Sequence, residues 1–139
     1  MEKELTKDLS LYRFKKAQDF LDVAIELFKE ERFGHAQNRA YYALFTAIRS
    51  VTALAGFDSS KHSGVIAFFN QYYVKTGIFK PETSNVIRTA SMFREKSDYE
   101  DFYVAEKDDT ENLIQVVTGF IIDVKNYLMN QQLIVENKK

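Results

Sequence analysis

The 139-residue sequence has no cysteine, no tryptophan, one proline, five glycines and two histidines. Without cysteine there can be no disulfide framework, thiolate zinc site or cysteine nucleophile, and the absence is compatible with a reducing cytoplasm. The two histidines, His35 and His62, fall in no HxxH or HExxH pattern, so clustered metal ligands are missing. A glycine-rich phosphate loop and a GxSxG elbow are missing too, and no cofactor motif is visible. The N-terminal MEKELTKDLS lacks the apolar core of a signal peptide, and charges break every apolar run short of the ~18 residues of a membrane span. The expectation is a cytoplasmic protein without membrane association. A chain of this length forms one domain and buries a real core. With so few breakers, helix is the natural outcome.

The stretch His35 to Gly56 organises the rest. Its positions predict a helix of about six turns at ~3.6 residues per turn. Tyr41, Leu44, Phe45, Ile48, Val51 and Leu54 recur at spacings of three and four and form an apolar stripe. His35, Arg39, Tyr42, Thr46 and Arg49 form a second, polar stripe, in which Arg39 and Thr46 share nearly the same angle. The spacing alone does not say what this stripe binds, and a solvated or interface face is the alternative.

Before it, Phe14, Ala17, Leu21, Ala24, Ile25 and Phe28 keep helical period in a helix from Ser10, its cap, to about Glu31. The short link to the central helix forces an antiparallel hairpin. After Gly56, oxygens of Asp58, Ser59 and Ser60 are placed to cap a third, aromatic helix from Lys61 to about Thr76. Pro81 suits the first turn of a fourth, about Glu82 to Ser97. Ser97 to Lys107 reads as a loop. A fifth helix, capped by Asp108 or Asp109 with Glu111 completing a capping box, runs to about Met129. The expected fold is all-α, an antiparallel bundle of about five helices over residues 10–129, with polar tails at 1–9 and 130–139.

The net charge of −1 hides a segregation. Arg32 to Lys96 holds nine lysines and arginines against three acids, whereas Ser97 to Asn112 holds seven acids against Lys107. A basic middle suggests an anionic ligand; mutual pairing of the two regions is the alternative. Twelve phenylalanines and eight tyrosines exceed what one small bundle buries alone, which points to an interface between subunits.

Three local groupings can carry chemistry. Asn38-Arg39-Ala40-Tyr41-Tyr42, with Thr46, offers a guanidinium, phenols and a hydroxyl. Lys61-His62-Ser63-Gly64 lies at a helix N-terminus, where free N–H groups and the dipole attract anions. Arg94-Glu95-Lys96-Ser97-Asp98-Tyr99 places Arg94 and Asp98 to pair across a helix end.

In this order, NRAYYALF, SKHSGV followed by FF..YYVKTG, and FREKSDYEDF resemble the short stand-alone HEPN proteins (higher eukaryotes and prokaryotes nucleotide-binding domain). The resemblance covers roughly residues 10 to 129. It implies a helical bundle that forms a homodimer. Many such proteins are metal-independent ribonucleases, often toxins; others sit beside a minimal nucleotidyltransferase and bind nucleotide or RNA. The family's ribonuclease motif is an arginine followed, four to six residues on, by a histidine on the same helix. Arg39 matches the arginine, but Thr46 stands where the histidine would fall, and a hydroxyl does not titrate near neutral pH. His35, one turn the other way, is the remaining imidazole near Arg39. The expected role is a nucleotide- or RNA-binding module using Asn38, Arg39, Tyr42, Lys61, His62 and Arg94. The alternative is an endoribonuclease with altered residues among Arg39, Thr46 and His35.

Overall fold

The computed structural model describes residues 3–134. It contains five α-helices: α1 Lys3–Lys29, α2 Phe33–Leu54, α3 His62–Phe69, α4 Thr83–Tyr99 and α5 Lys107–Asn130. No strand occurs among the described residues. The all-α bundle expected from the periodicity is therefore the fold.

α2 is the hub. Fourteen of its 22 residues are buried, so it has no broad solvent face and contacts every other helix. Ala36, Ala40, Ala43 and Ala47 are fully buried and let neighbouring backbones approach closely. α1 lies antiparallel to α2, as the pairing order shows: Phe28 meets Phe33, Phe20 meets Tyr42, and Arg13 meets Arg49. α5 packs on α1, α2 and α4, closing the bundle around Leu44, Ile48, Val51, Leu113, Val117 and Val124. A second aromatic cluster, Phe69, Tyr73, Phe79, Phe120 and Tyr127, fills the end under α3.

α2 stops as its glycine predicts. Gly56 adopts φ +70°; its N–H reaches the Ala53 carbonyl, and the Phe57 N–H reaches that of Thr52. These are the two bonds of a Schellman cap, which needs the left-handed conformation that glycine takes freely. α1 ends in the same way but with Glu31 at φ +61°. A non-glycine residue carries a steric cost there.

Several expected boundaries move. The segment 3–9, read as a polar tail, is helical, because Thr6 and Ser10 are buried against the bundle. Ser10 is thus mid-helix and caps nothing. α3 is followed by a π-turn, Asn70–Val74, closed by the Lys75 N–H on the Asn70 carbonyl. α4 continues through Asp98 and Tyr99, residues read as loop. The N-cap of α5 is Glu106, with no side-chain cap bond, so the capping box does not form. Asp108 and Asp109 lie in the first turn instead, where the helix dipole favours acids.

Candidate functional site

The polar stripe of α2 does not stay together. His35 and Arg39 are exposed, Tyr42 and Arg49 are half-buried, and Thr46 is 9% exposed. His35 and Arg39 line one cavity, Arg49 lines another, Tyr42 joins the stack of rings between them, and Thr46 is buried outside all three.

The first cavity, about 950 Å3, lies at the start of α2 and includes Arg32, His35, Asn38, Arg39, Asp98 and Tyr103 in its walls. Its far wall is the loop between α4 and α5. Gln37, fully buried, holds that wall: its Nε2 donates to Thr110 Oγ1 at 3.0 Å, and its Oε1 accepts from Tyr103 Oη at 2.9 Å. Asp98 would repel a phosphate, but its oxygens are engaged. Asn38 Nδ2 donates to both at 2.8 and 2.9 Å, and Arg94 Nε lies 3.3 Å away. Arg39 has no ion-pair partner among the described residues. Its guanidinium lies 5.8 Å from the centre of the Phe20 ring, which leaves its N–H groups for a ligand.

Arg94 is the middle of the arrangement. Its guanidinium sits 5.3, 5.8 and 5.4 Å from the ring centres of Tyr41, Tyr42 and Tyr99. Its Nη2 donates to Tyr42 Oη at 3.3 Å. Burial works against the charge, but the Tyr42 bond and the surrounding tyrosines outweigh it and raise its pKa above the ordinary range. The expected ion pair with Asp98 is present.

On the far side of Tyr41 lies His62. Tyr41 Oη and His62 Nδ1 share a 2.9 Å hydrogen bond, and the imidazole stacks on Phe45 at 3.9 Å between centres. Burial, then the charges of Arg94 and Arg49, lower the His62 pKa from its ordinary value, which keeps the ring neutral at pH 7. Burial raises the Tyr41 phenol to about 12, so it remains a proton donor or acceptor and not an anion. His62 lines the second cavity, about 440 Å3, with Phe45, Arg49, Asp58, Ser59 and Ser60.

The structure thus joins Asn38, Arg39 and His35 in one cavity and links Tyr42, Arg94 and His62 through a chain of rings and hydrogen bonds. Lys61 is exposed at the N-cap of α3 and makes no ion pair among the described residues. Asp58 and Ser59, expected to cap α3, accept from the backbone N–H groups of Ser59 and Lys61 instead. Arg94–Asp98 is the one ion pair joining the basic middle to the acidic segment among the described residues, so mutual pairing does not explain their segregation. Gln37 and Asp58 were outside the expected site, and Tyr41, though within the first grouping, was not among its expected binding residues. The apolar period absorbed Tyr41, and no local signal pointed to the partners of Gln37. No group of metal-ligating side chains large enough to hold an ion, and no helix long and apolar enough to cross a membrane, occurs among the described residues.

A scan against protein-family models matches the HEPN domain over residues 10–127. Among curated proteins, the chain is 36% identical to a UPF0332 protein of Thermotoga maritima over 79% of this chain and 83% of that one. It is 26% and 29% identical to two proteins of Methanocaldococcus jannaschii named as candidate toxins, over 86% and 81% of this chain and 81% and 83% of theirs. The bundle centred on α2, the order of the three sequence groupings along it and a family match spanning most of the chain agree, and the protein belongs to the HEPN domain family.

Proposed function

We propose that this HEPN protein is a homodimeric module that binds nucleotide or RNA phosphate in the Arg39 cavity, in the cytoplasm, beside a minimal nucleotidyltransferase as in a toxin–antitoxin pair. One observation carries this reading. An exposed guanidinium without an ion-pair partner among the described residues faces an open cavity that Glu31 and Asp98 also line, while the following turns of the same helix hold no imidazole and position 46 is a nearly buried threonine. Such a cavity can hold a phosphate on Arg39, with His35 on the preceding turn as its one imidazole. Asn38 adds polar surface, and the Arg94 stack beside it offers aromatic edges for a base. The chain's likeness to candidate toxins supports the genetic setting. The exposed aromatics Tyr99 and Phe102, the latter fully exposed, supply apolar surface for the dimer contact.

The test measures binding of single-stranded RNA against salt. Affinity falls as salt rises, and Arg39→Ala weakens it. Unchanged affinity in Arg39→Ala refutes the site. Sedimentation giving a monomer at micromolar concentration refutes the dimer. A second reading, endoribonuclease, is favoured by His35 lining the same cavity as Arg39. Robust RNA cleavage lost in both Arg39→Ala and His35→Ala would establish it; negligible cleavage by pure protein leaves the binding module.

A further inference from the structure

Two guanidiniums share one carboxylate at the far end of α2. Arg49 Nη2 lies 3.0 Å from Asp58 Oδ1, and Arg13 Nη2 reaches Asp58 Oδ2 from α1 at 3.5 Å. The second contact is long, and so is the other bond Arg13 makes, 3.4 Å from Nη1 to the Arg49 carbonyl. The Arg13 side chain is nevertheless only 12% exposed, and burial, followed by the charge of Arg49, pulls its pKa below the usual guanidinium range. Arg49 Nε is buried with no partner. Asp58 is exposed enough for its burial cost to be outweighed by the Ser59 N–H and the two arginines, which hold its carboxyl below the usual range. The cluster therefore carries one positive charge more than it neutralises. Charge held out of water is normally matched by an opposite charge, and an unmatched donor is costly.

The 440 Å3 cavity opens directly on this excess. Its walls carry Arg49, the neutral imidazole of His62, the hydroxyl-bearing Ser59 and Ser60 and the Asp58 carboxylate, whose charge the two arginines offset, with Phe45 as an apolar floor. Lys61, exposed and without a carboxylate partner among the described residues, is the next residue to His62. An excess charge at Arg13–Arg49–Asp58 plus that of Lys61 balances two negative charges, whereas a backbone phosphodiester brings one.

We infer that the Arg49–His62 cavity is an anion site for a terminal phosphate monoester, the end group of a nucleotide or of an RNA strand. Arg49 takes the phosphate oxygens, His62 and the serine hydroxyls complete the hydrogen bonds, and Arg13 remains on Asp58. Arg39 and Arg49 are ten residues apart, which is about 15 Å along α2, so the two cavities are separate subsites on one helix. The reading of RNA as the ligand rests on the proposed function; the phosphate site itself does not.

The experiment separates the two. Calorimetric titration of the full chain with adenosine 5′-monophosphate, adenosine 3′-monophosphate and adenosine shows heat for the monophosphates and none for adenosine. Arg49→Gln weakens monophosphate binding about tenfold or more, the scale of a charge-assisted contact, and Arg88→Gln, an exposed position of α4 that lines neither cavity, leaves it unchanged. The two monophosphates distinguish a 5′ from a 3′ end. Equal behaviour of adenosine and its monophosphates, or full binding by Arg49→Gln, overturns the inference. Should Arg49→Gln fail to fold, Ser60→Asp, at an exposed wall position, sets a carboxylate in the cavity, and unchanged monophosphate binding in that variant overturns it equally. With RNA, an oligonucleotide carrying the preferred terminal phosphate binds more tightly than its hydroxyl-ended counterpart, and Arg49→Gln erases that advantage while Arg39→Ala preserves it. Monophosphate binding without any RNA binding upholds the phosphate site and refutes the RNA module.

Discussion

Arg94→Ala removes the centre of the site, and its cost can be worked from the structure. The guanidinium is 20% exposed and lies against three tyrosine rings within 5.8 Å. Cation–π contact contributes about 1 kcal/mol at such partly desolvated positions, between the exposed and buried extremes. The ion pair to Asp98, partly screened, adds at most about 1 kcal/mol. Loss of the aliphatic stem packed on Tyr41 and Tyr42 adds about another 1 kcal/mol, near one buried methylene. Asp98 keeps both Asn38 bonds, so no carboxylate is stranded. The expected total is a destabilisation of about 2–3 kcal/mol, read as a lowered urea midpoint at unchanged slope. The same substitution removes one of the charges that depress His62, so the imidazole titrates at higher pH in an NMR titration. Arg94→Lys retains the His62 shift but loses the planar stacking. A destabilisation under about 0.5 kcal/mol, the range of a plain surface substitution, together with an unmoved His62, would refute the central role given to Arg94.

Glu31→Gly relieves the left-handed residue at the end of α1 and raises stability by up to about 1 kcal/mol; a lowered melting temperature would show that Glu31 compensates in some other way. The depressed His62 pKa gives a pH dependence of defined sign. The unfolded chain binds a proton at His62 near the ordinary imidazole value of about 6.5 while the folded chain does not, so stability holds above about pH 6.5 and declines as pH falls below it toward the lower native pKa. Melts from pH 8 to 5 follow that decline in the wild type and flatten in His62→Gln; parallel curves contradict it. Thr46→His restores an imidazole two turns beyond Arg39, and if the variant melts cooperatively it cleaves single-stranded RNA above the wild-type level, acid–base help being worth about 10²–10⁴-fold. An inert, well-folded variant shows that the surroundings of Arg39 suit binding alone.

The five helices were legible because their apolar positions keep a helical period and because Gly56, Gly77 and Pro81 punctuate them. Their ends were less so. Nothing in the sequence of residues 3–9 marks a helix, since those residues are ordered by burial of Thr6 and Ser10 against other helices and not by local preference. The site was legible as a set of residue types and only partly as an arrangement. Arg94–Asp98, at i,i+4, could be read from spacing; Asn38–Asp98 spans 60 positions and could not. Tyr41 follows the apolar period because its ring is buried, yet its hydroxyl shares a hydrogen bond with His62. The polar stripe of α2 treated Arg39, Thr46 and Arg49 as one face, whereas neighbouring helices cover its middle and leave two openings. The Arg13–Arg49–Asp58 cluster draws on three separate stretches of chain, which no local pattern reveals.

The three-residue link between α1 and α2 has a consequence for the order in which the molecule assembles. Contacts along that hairpin close short stretches of chain, whereas the bond from Arg94 to Tyr42 closes 52 positions. Loop closure is entropically costlier the longer the stretch, and local contacts form earlier. The hairpin is then the folding nucleus, and α4 docks on it late. Changes at buried alanines of α2 slow folding, while changes at Arg94 or Asp98 mainly speed unfolding. Both cavities consequently take shape on a scaffold already built, so their specificity can drift by mutation while the rate at which a newly made chain escapes its aggregation-prone unfolded state stays the same.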